Sequence, residues 1–130
     1  MNDFDFDFDP GPVMSATRPS QMVVMLYEET LVSLDRAVDA VERGDLVARN
    51  RHSRRAADII DLLYGCLDMQ RGGALAANLA GLYRTVLGRL VLFNAGRDGT
   101  AGREAIGLLA PLLDAWKTVD RGADQAAAAA

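Results

Sequence analysis

The apolar positions of this chain recur with a helical period. From about Pro19 to Arg43, the residues Val23, Leu26, Tyr27, Leu31, Leu34, Ala37, Val38 and Val41 follow i, i+3, i+4 spacing. At ~100° per residue they line one stripe. Gly44 stops this first helix, and Asp45 is placed to cap the second. The second runs to about Met69, with Ala56, Ile59, Ile60, Leu63 and Leu67 as its core positions. Gly72 and Gly73 break the chain. A third helix, from about Ala74 to Ala95, carries Leu75, Leu79, Leu82, Tyr83, Val86, Leu90 and Phe93, with Leu87 and Val91 widening the stripe. Gly96 to Gly99 form a loop and Thr100 is a cap. The fourth helix reaches about Val119 through Ala105, Leu108, Leu109, Leu112 and Trp116. Pro111 lies in its interior, where proline removes a hydrogen bond and its ring meets the carbonyl four residues back, that of Gly107. A kink or a break is expected there.

Four amphipathic helices with short connections predict an all-α fold, an antiparallel four-helix bundle over residues 19–120. Pro19 suits a first helical turn. Residues 1–18 contain Pro10, Gly11 and Pro12, show no helical period, and read as a flexible arm. Residues 121–130 end in five alanines and lack an apolar face, so a disordered tail is expected.

Charge sharpens this division. The chain has 130 residues and a net charge of −4, from 18 acids and 14 bases. Four of the acids are Asp3, Asp5, Asp7 and Asp9, interleaved with Phe4, Phe6 and Phe8, and the remaining 14 balance the 14 bases. The bundle is neutral and the arm carries the whole imbalance. With no basic excess, a nucleic-acid partner is not expected. One cysteine cannot form an internal disulfide, which suits a reducing compartment. No leader pattern is seen, and no apolar run approaches the ~18–20 residues of a membrane span. A soluble, cytoplasmic domain with no membrane insertion is the expectation.

Catalytic and metal chemistry find little to work with. A metal site in a bundle needs several inward carboxylates or histidines, and this chain has one histidine and no Glu-x-x-His pair. No nucleophile has an evident base, and no glycine cluster forms a phosphate loop. Neither an enzyme nor a cofactor is expected. Cys66, among Leu63, Tyr64 and Leu67, reads as a small core residue. His52 lies near the Ala56/Ile59/Leu63 stripe and reads as a partly buried histidine near the bundle end rather than a phosphorelay residue. Arg51, Arg54 and Arg55 lie opposite the core, as a solvated face that could also dock an acidic partner.

The helices carry more apolar surface than one stripe needs. Met22, Met25 and Val32 lie away from the main stripe of the first helix, and the third helix is apolar over about half its circumference before Leu92 is counted. A bundle helix needs about three apolar positions in seven. Two readings stand: scattered exposed apolar residues, or a groove for an apolar segment of another chain, where flexible methionines suit irregular partners.

Several runs then resemble one family in order. Pro19-Ser20-Gln21-Met22-Val23-Val24-Met25-Leu26-Tyr27-Glu28 is similar to its opening helix. Ala57-Asp58-Ile59-Ile60, Leu67-Asp68, Gly72-Gly73 and Ala77-Asn78-Leu79-Ala80-Gly81-Leu82-Tyr83 are similar to its central signature. Asn94, Asp98, Leu108-Leu109 and Asp114-Ala115-Trp116 are similar to its last segment. The family is that of the flagellar secretion chaperones of the FliS type, and the resemblance spans about residues 17–117. It implies a cytoplasmic export chaperone that binds the disordered C-terminal segment of flagellin, prevents premature polymerisation and delivers it to the flagellar type III export gate. The cytoplasmic domain of that gate is a further implied partner. On the matching positions, Met22, Met25, Tyr27, Asn78, Leu79 and Tyr83 are the candidate flagellin-binding residues. Tyr27, Leu79, Tyr83 and Trp116 also lie on core stripes. The alternative is a helical regulatory adaptor that binds an anti-sigma factor or a translational regulator of flagellar assembly. Departures from the family pattern are Glu29 in place of a small residue, Pro111, and the Phe-Asp arm.

In the family the N-terminal segment covers part of the flagellin-binding surface, which makes Phe4, Phe6 and Phe8 a candidate autoinhibitory ligand in cis. In an extended arm all three rings share one edge. On this expectation, deleting residues 2–9 tightens binding of a flagellin C-terminal peptide in calorimetry, and an unchanged affinity leaves the arm a solubilising tail.

Overall fold

The computed structural model describes residues 18–129, and the Phe-Asp arm lies outside them. Four helices follow one another: α1 (Pro19–Glu42), α2 (Leu46–Gly65), α3 (Met69–Ala95) and α4 (Thr100–Ala129). There is no strand among the described residues. Each helix packs on its neighbours around a ring: α1 lies between α2 and α4, and α3 closes the ring against the same two. The backbones of α1 and α3 face each other across the diagonal without touching. This is the four-helix bundle that the apolar period predicts.

The helix ends follow from local chemistry. Arg18 is extended (φ −62°, ψ 149°), as a residue before proline must be, and Pro19 opens α1. At the other end Gly44 takes φ +78°, so that its N–H reaches the carbonyl of Val41 (3.0 Å) while that of Asp45 reaches Ala40 (2.9 Å). This paired closure needs a left-handed residue. The Asp45 carboxylate accepts from the Ala48 N–H (3.0 Å), capping α2.

Several boundaries differ from the sequence reading. The second helix stops at Gly65 instead of near Met69, because the Asp68 carboxylate accepts the N–H groups of Gln70 (3.1 Å) and Arg71 (2.9 Å) and so starts α3 there. The break expected at Gly72-Gly73 survives as a kink inside α3, where Gly73 takes φ 52°, ψ −128°. Of the kink or break expected at Pro111, a break is absent: α4 is continuous from Thr100 to Ala129. Pro111 is exposed and Gly107, whose carbonyl its ring faces, is exposed too, so the freed carbonyl meets water instead of a packed neighbour. The helix also runs through the stretch expected to be disordered. Asp120 accepts from Arg18 (3.1 Å) and Ser20 (2.9 Å), Arg18 also reaches Asp124 (3.1 Å), and alanine is the best helix former.

The core is one main cluster, with Leu26, Tyr27, Leu34, Ile59, Ile60, Leu79, Tyr83, Val86, Leu90 and Leu109 at its centre, and a smaller one of Ala37, Val38, Val41 and Phe93. Most stripe positions are where the period puts them, but Leu75, Val91 and Val119 are exposed. Near the smaller cluster, α4 begins close to α1 and α3. A Cβ on Gly102 would sit 2.8 Å from a Val38 methyl and 2.9 Å from the Phe93 ring, so only glycine allows that approach.

Two polar devices tie this core together. The hydroxyls of Tyr27 and Tyr83 are 2.7 Å apart, on residues 1% and 2% exposed, and they link α1 to α3 across the diagonal. Burial pushes the pKa of both phenols up, and their mutual hydrogen bond adds to the rise at Tyr83, so both stay neutral. Arg49, 4% exposed, donates to the carbonyls of Phe93 (3.3 Å) and Gly96 (2.6 Å) at the end of α3 and lies 5.9 Å from the Phe93 ring centre. A guanidinium there satisfies terminal carbonyls and opposes the negative end of the helix dipole.

A double-mutant cycle tests the tyrosine pair. Tyr27→Phe and Tyr83→Phe should each cost about 1–2 kcal/mol, because each deprives a buried hydroxyl of its phenol partner, and the double variant should cost no more than one single. Urea unfolding measures this; fully additive losses would sink the pairing.

Candidate functional site

The surface residues that a partner could use lie in three places. The first is a groove of about 320 Å³ at the corner where α2 passes to α3, lined by Cys66, Leu67, Asp68, Arg71, Gly72, Leu75, Ala76 and Leu79. The local sequence creates it. Because α2 ends at Gly65 and Asp68 starts the next helix at once, the chain turns short, and the Gly73 kink swings the first turn of α3 aside. Leu75 stands 63% exposed at its edge and Leu79 forms part of its floor at 8%. Arg71 and Asp68 are the charged residues of its wall and pair at 3.8 Å.

Cys66 belongs to this rim, not to the core as its neighbours suggest. It is the C-cap of α2, its N–H reaching the carbonyls of Leu62 (3.1 Å) and Leu63 (3.2 Å), and one residue beyond the last turn its side chain is exposed. Asn78 is exposed on α3, one turn after Leu75, with its amide available to a ligand backbone.

The second place is the outer edge of α1. Met22 and Met25 are half-buried, Met22 packing on the main core, and Val32 is 40% exposed. Beside them Glu29 pairs with Arg55 of α2 at 2.6 Å, so Arg55 is a partly buried clamp between two helices and not part of a solvated face. Arg51 and Arg54 are exposed, and His52 is half-buried, as its stripe position predicts. Burial first, then the charges of Arg51, Arg36, Arg55 and Arg43, lower the pKa of His52.

The third place is the outer end of α3, where Val91 and Leu92 are 69% and 56% exposed. Their exposure gives the surplus apolar positions of the third helix a location: they face outward in α3 instead of filling a wider core contact.

The six candidate residues therefore divide. Tyr27 and Tyr83 are enclosed in the core and hold α1 and α3 in register. Leu79 and Asn78 belong to the groove region, and Met22 and Met25 to the edge of α1. Phe4, Phe6 and Phe8 lie outside the described residues. Sequence reading missed Asp68 as the helix cap and Arg49 as a buried donor. The signal for Arg49 was present: it stands four residues before Ser53 and seven before Ala56, on the buried stripe. Among the described residues no group of His, Cys, Asp or Glu side chains is gathered that could hold a metal ion. Among the described residues no helix is long and apolar enough to cross a membrane.

Comparison with known proteins fits this arrangement. The pattern of the family described as flagellar protein FliS matches residues 12–123. The chain is 39% identical over 108 residues to the flagellar secretion chaperone FliS of Salmonella typhimurium, covering 82% of this chain and 79% of that protein. It is 33% identical to the flagellar secretion chaperone FliS of Campylobacter jejuni, covering 78% of this chain and 79% of that one. With the protein of the same description from Bacillus subtilis the identity is 30%, covering 85% and 80%. A bundle of four helices, apolar side chains left outside its core, and a match along most of its length lead to one assignment: the chain belongs to the FliS family of flagellar proteins.

Proposed function

We propose that this chain is an export chaperone that binds the disordered C-terminal segment of flagellin, prevents its premature polymerisation and delivers it to the flagellar type III export gate. Relatives named flagellar secretion chaperones support the general role. The observation that carries the finer reading is the groove at the α2–α3 corner, whose lining is mostly apolar and whose rim residue Leu75 is exposed although it occupies a core position of the helical period. Its volume suits one or two apolar side chains of an incoming peptide. Burying one leucine or phenylalanine contributes about 1.5–3 kcal/mol. Several such contacts are needed to offset the ordering of a disordered segment. The exposed Val91 and Leu92 on α3, and Met22, Met25 and Val32 on α1, supply further apolar stations. Asn78 beside the groove offers a donor and an acceptor to the peptide backbone. Such a role works by binding alone, in the cytoplasm, without catalysis or cofactor.

Calorimetry of the chain with a flagellin C-terminal peptide should give a soluble complex of one to one. No detectable binding overturns the reading. Leu75→Asp should weaken that complex by roughly tenfold or more, the equivalent of one lost apolar contact, while helicity and melting stay unchanged because Leu75 is exposed. Bound peptide should also slow the alkylation of Cys66 on the groove rim by a bulky maleimide. An alkylation rate indifferent to saturating peptide would move the binding surface elsewhere.

A further inference from the structure

The groove at the α2–α3 corner has a mostly apolar lining and one cation in its wall. Arg71 stands four residues before Leu75 and eight before Leu79, and all three line the groove, so the wall runs from a guanidinium to an apolar rim and floor. Gly72 keeps that wall bare beside Arg71: a Cβ there would lie 2.6 Å from that of Ala76. The volume, about 320 Å³, suits the end of a chain better than a long run of side chains.

Arg71 is open to a ligand. Its side chain is 92% exposed, and its ion-pair partner among the described residues is Asp68, 3.8 Å from Nε and so beyond hydrogen-bond range. Asp68 is occupied otherwise. Its Oδ1 accepts the N–H groups of Gln70 (3.1 Å) and Arg71 (2.9 Å), which holds the carboxylate on the first turn of α3. The two terminal nitrogens of Arg71 bond to no protein group among the described residues. With both N–H groups already taken by Asp68, recognition of an anion here falls to the guanidinium and not to the helix end.

An apolar socket with an arginine at its lip recognises an apolar side chain that brings a carboxylate with it. A peptide offers two kinds of carboxylate. In an extended chain the neighbour of a seated side chain points to the opposite face, so an Asp or Glu next to it is carried away from the lip. The α-carboxylate of a chain end belongs to the backbone and stays beside the seated residue whatever its rotamer. We propose that the groove seats the extreme C-terminus of the bound flagellin segment, with an apolar side chain of its last residues over Leu79 and its α-carboxylate paired with the Arg71 guanidinium. The pairing forms charge-assisted N–H···O bonds in the fork geometry that a guanidinium offers a carboxylate. This inference rests on the flagellin-binding reading and adds a direction to it: the segment ends at the α2–α3 corner, and the rest of it leads away along the bundle.

Calorimetry compares three peptides on the native chain and on R71Q: the flagellin C-terminal peptide as free acid, the same peptide as C-terminal amide, and the acid extended by three glycines. Amidation removes the charge and keeps every apolar contact. At low salt it should weaken binding to the native chain by roughly fivefold, within the range of a partly sheltered ion pair. The glycine extension moves the carboxylate by up to about 10 Å at ~3.3 Å per residue and should cost as much. On R71Q the acid and the amide should bind alike. The difference on the native chain should also shrink in 1 M salt, where the screening length is ~3 Å. Equal binding of acid and amide to the native chain overturns the seating of the terminus and leaves the chaperone reading standing. An extended acid as tight as its parent overturns it too, and an acid–amide difference that persists in R71Q overturns the role of Arg71. Failure of all three peptides to bind overturns the chaperone reading, and this inference with it.

Discussion

A hydrogen bond between two phenols fixes the spacing of helices whose backbones never meet. The hydroxyls of Tyr27 and Tyr83, 2.7 Å apart, bridge the diagonal of the bundle. A slide of α3 by one turn against α1 would leave two hydroxyls unpaired in an apolar interior, at about 1–3 kcal/mol each. The apolar residues around them tolerate many arrangements; this pair tolerates one. Register in the core therefore follows from the one contact that hydrophobic packing alone would not specify.

With the diagonal fixed, the ends of α3 decide what stays outside. Asp68 starts that helix immediately after the α2 turn, Gly73 bends its first turn, and Arg49 holds its last carbonyls. Between these points α3 packs through Leu79, Tyr83, Val86, Leu90 and Phe93. Other apolar positions of the same helix, among them Leu75, Val91 and Leu92, are exposed. The groove and the exposed apolar stations are thus consequences of how a glycine-rich helix is pinned, without any separate element built to bind.

The helices themselves were legible because packing in a bundle repeats every 3.6 residues, and the α1–α2 turn was legible because glycine and aspartate have specific tasks there. Gly44 and Asp45 perform them. What stayed hidden depended on partners distant in sequence. Arg49 looks like any helical arginine until the carbonyls of Phe93 and Gly96 are placed above it. Gly102 looks like a weak helix residue until Val38 and Phe93 close on it. Cys66 sits among apolar neighbours in sequence, yet one residue past a helix end those neighbours no longer share its environment. At the candidate site the motif positions fall on α1 and α3. Motif alone could not separate Tyr27 and Tyr83, which hold the bundle together, from Asn78, which faces outward.

The position of Trp116 has an optical consequence. It is the only tryptophan in the chain, half-buried in α4, with its ring centre 6.5 Å from that of Tyr27. At that separation excitation absorbed by the central tyrosines passes to the indole, so the emission of one residue reports whether α1 and α4 remain in contact. The seam between the first and last helices thereby carries its own fluorophore, and opening of the bundle can be watched in the unlabelled protein.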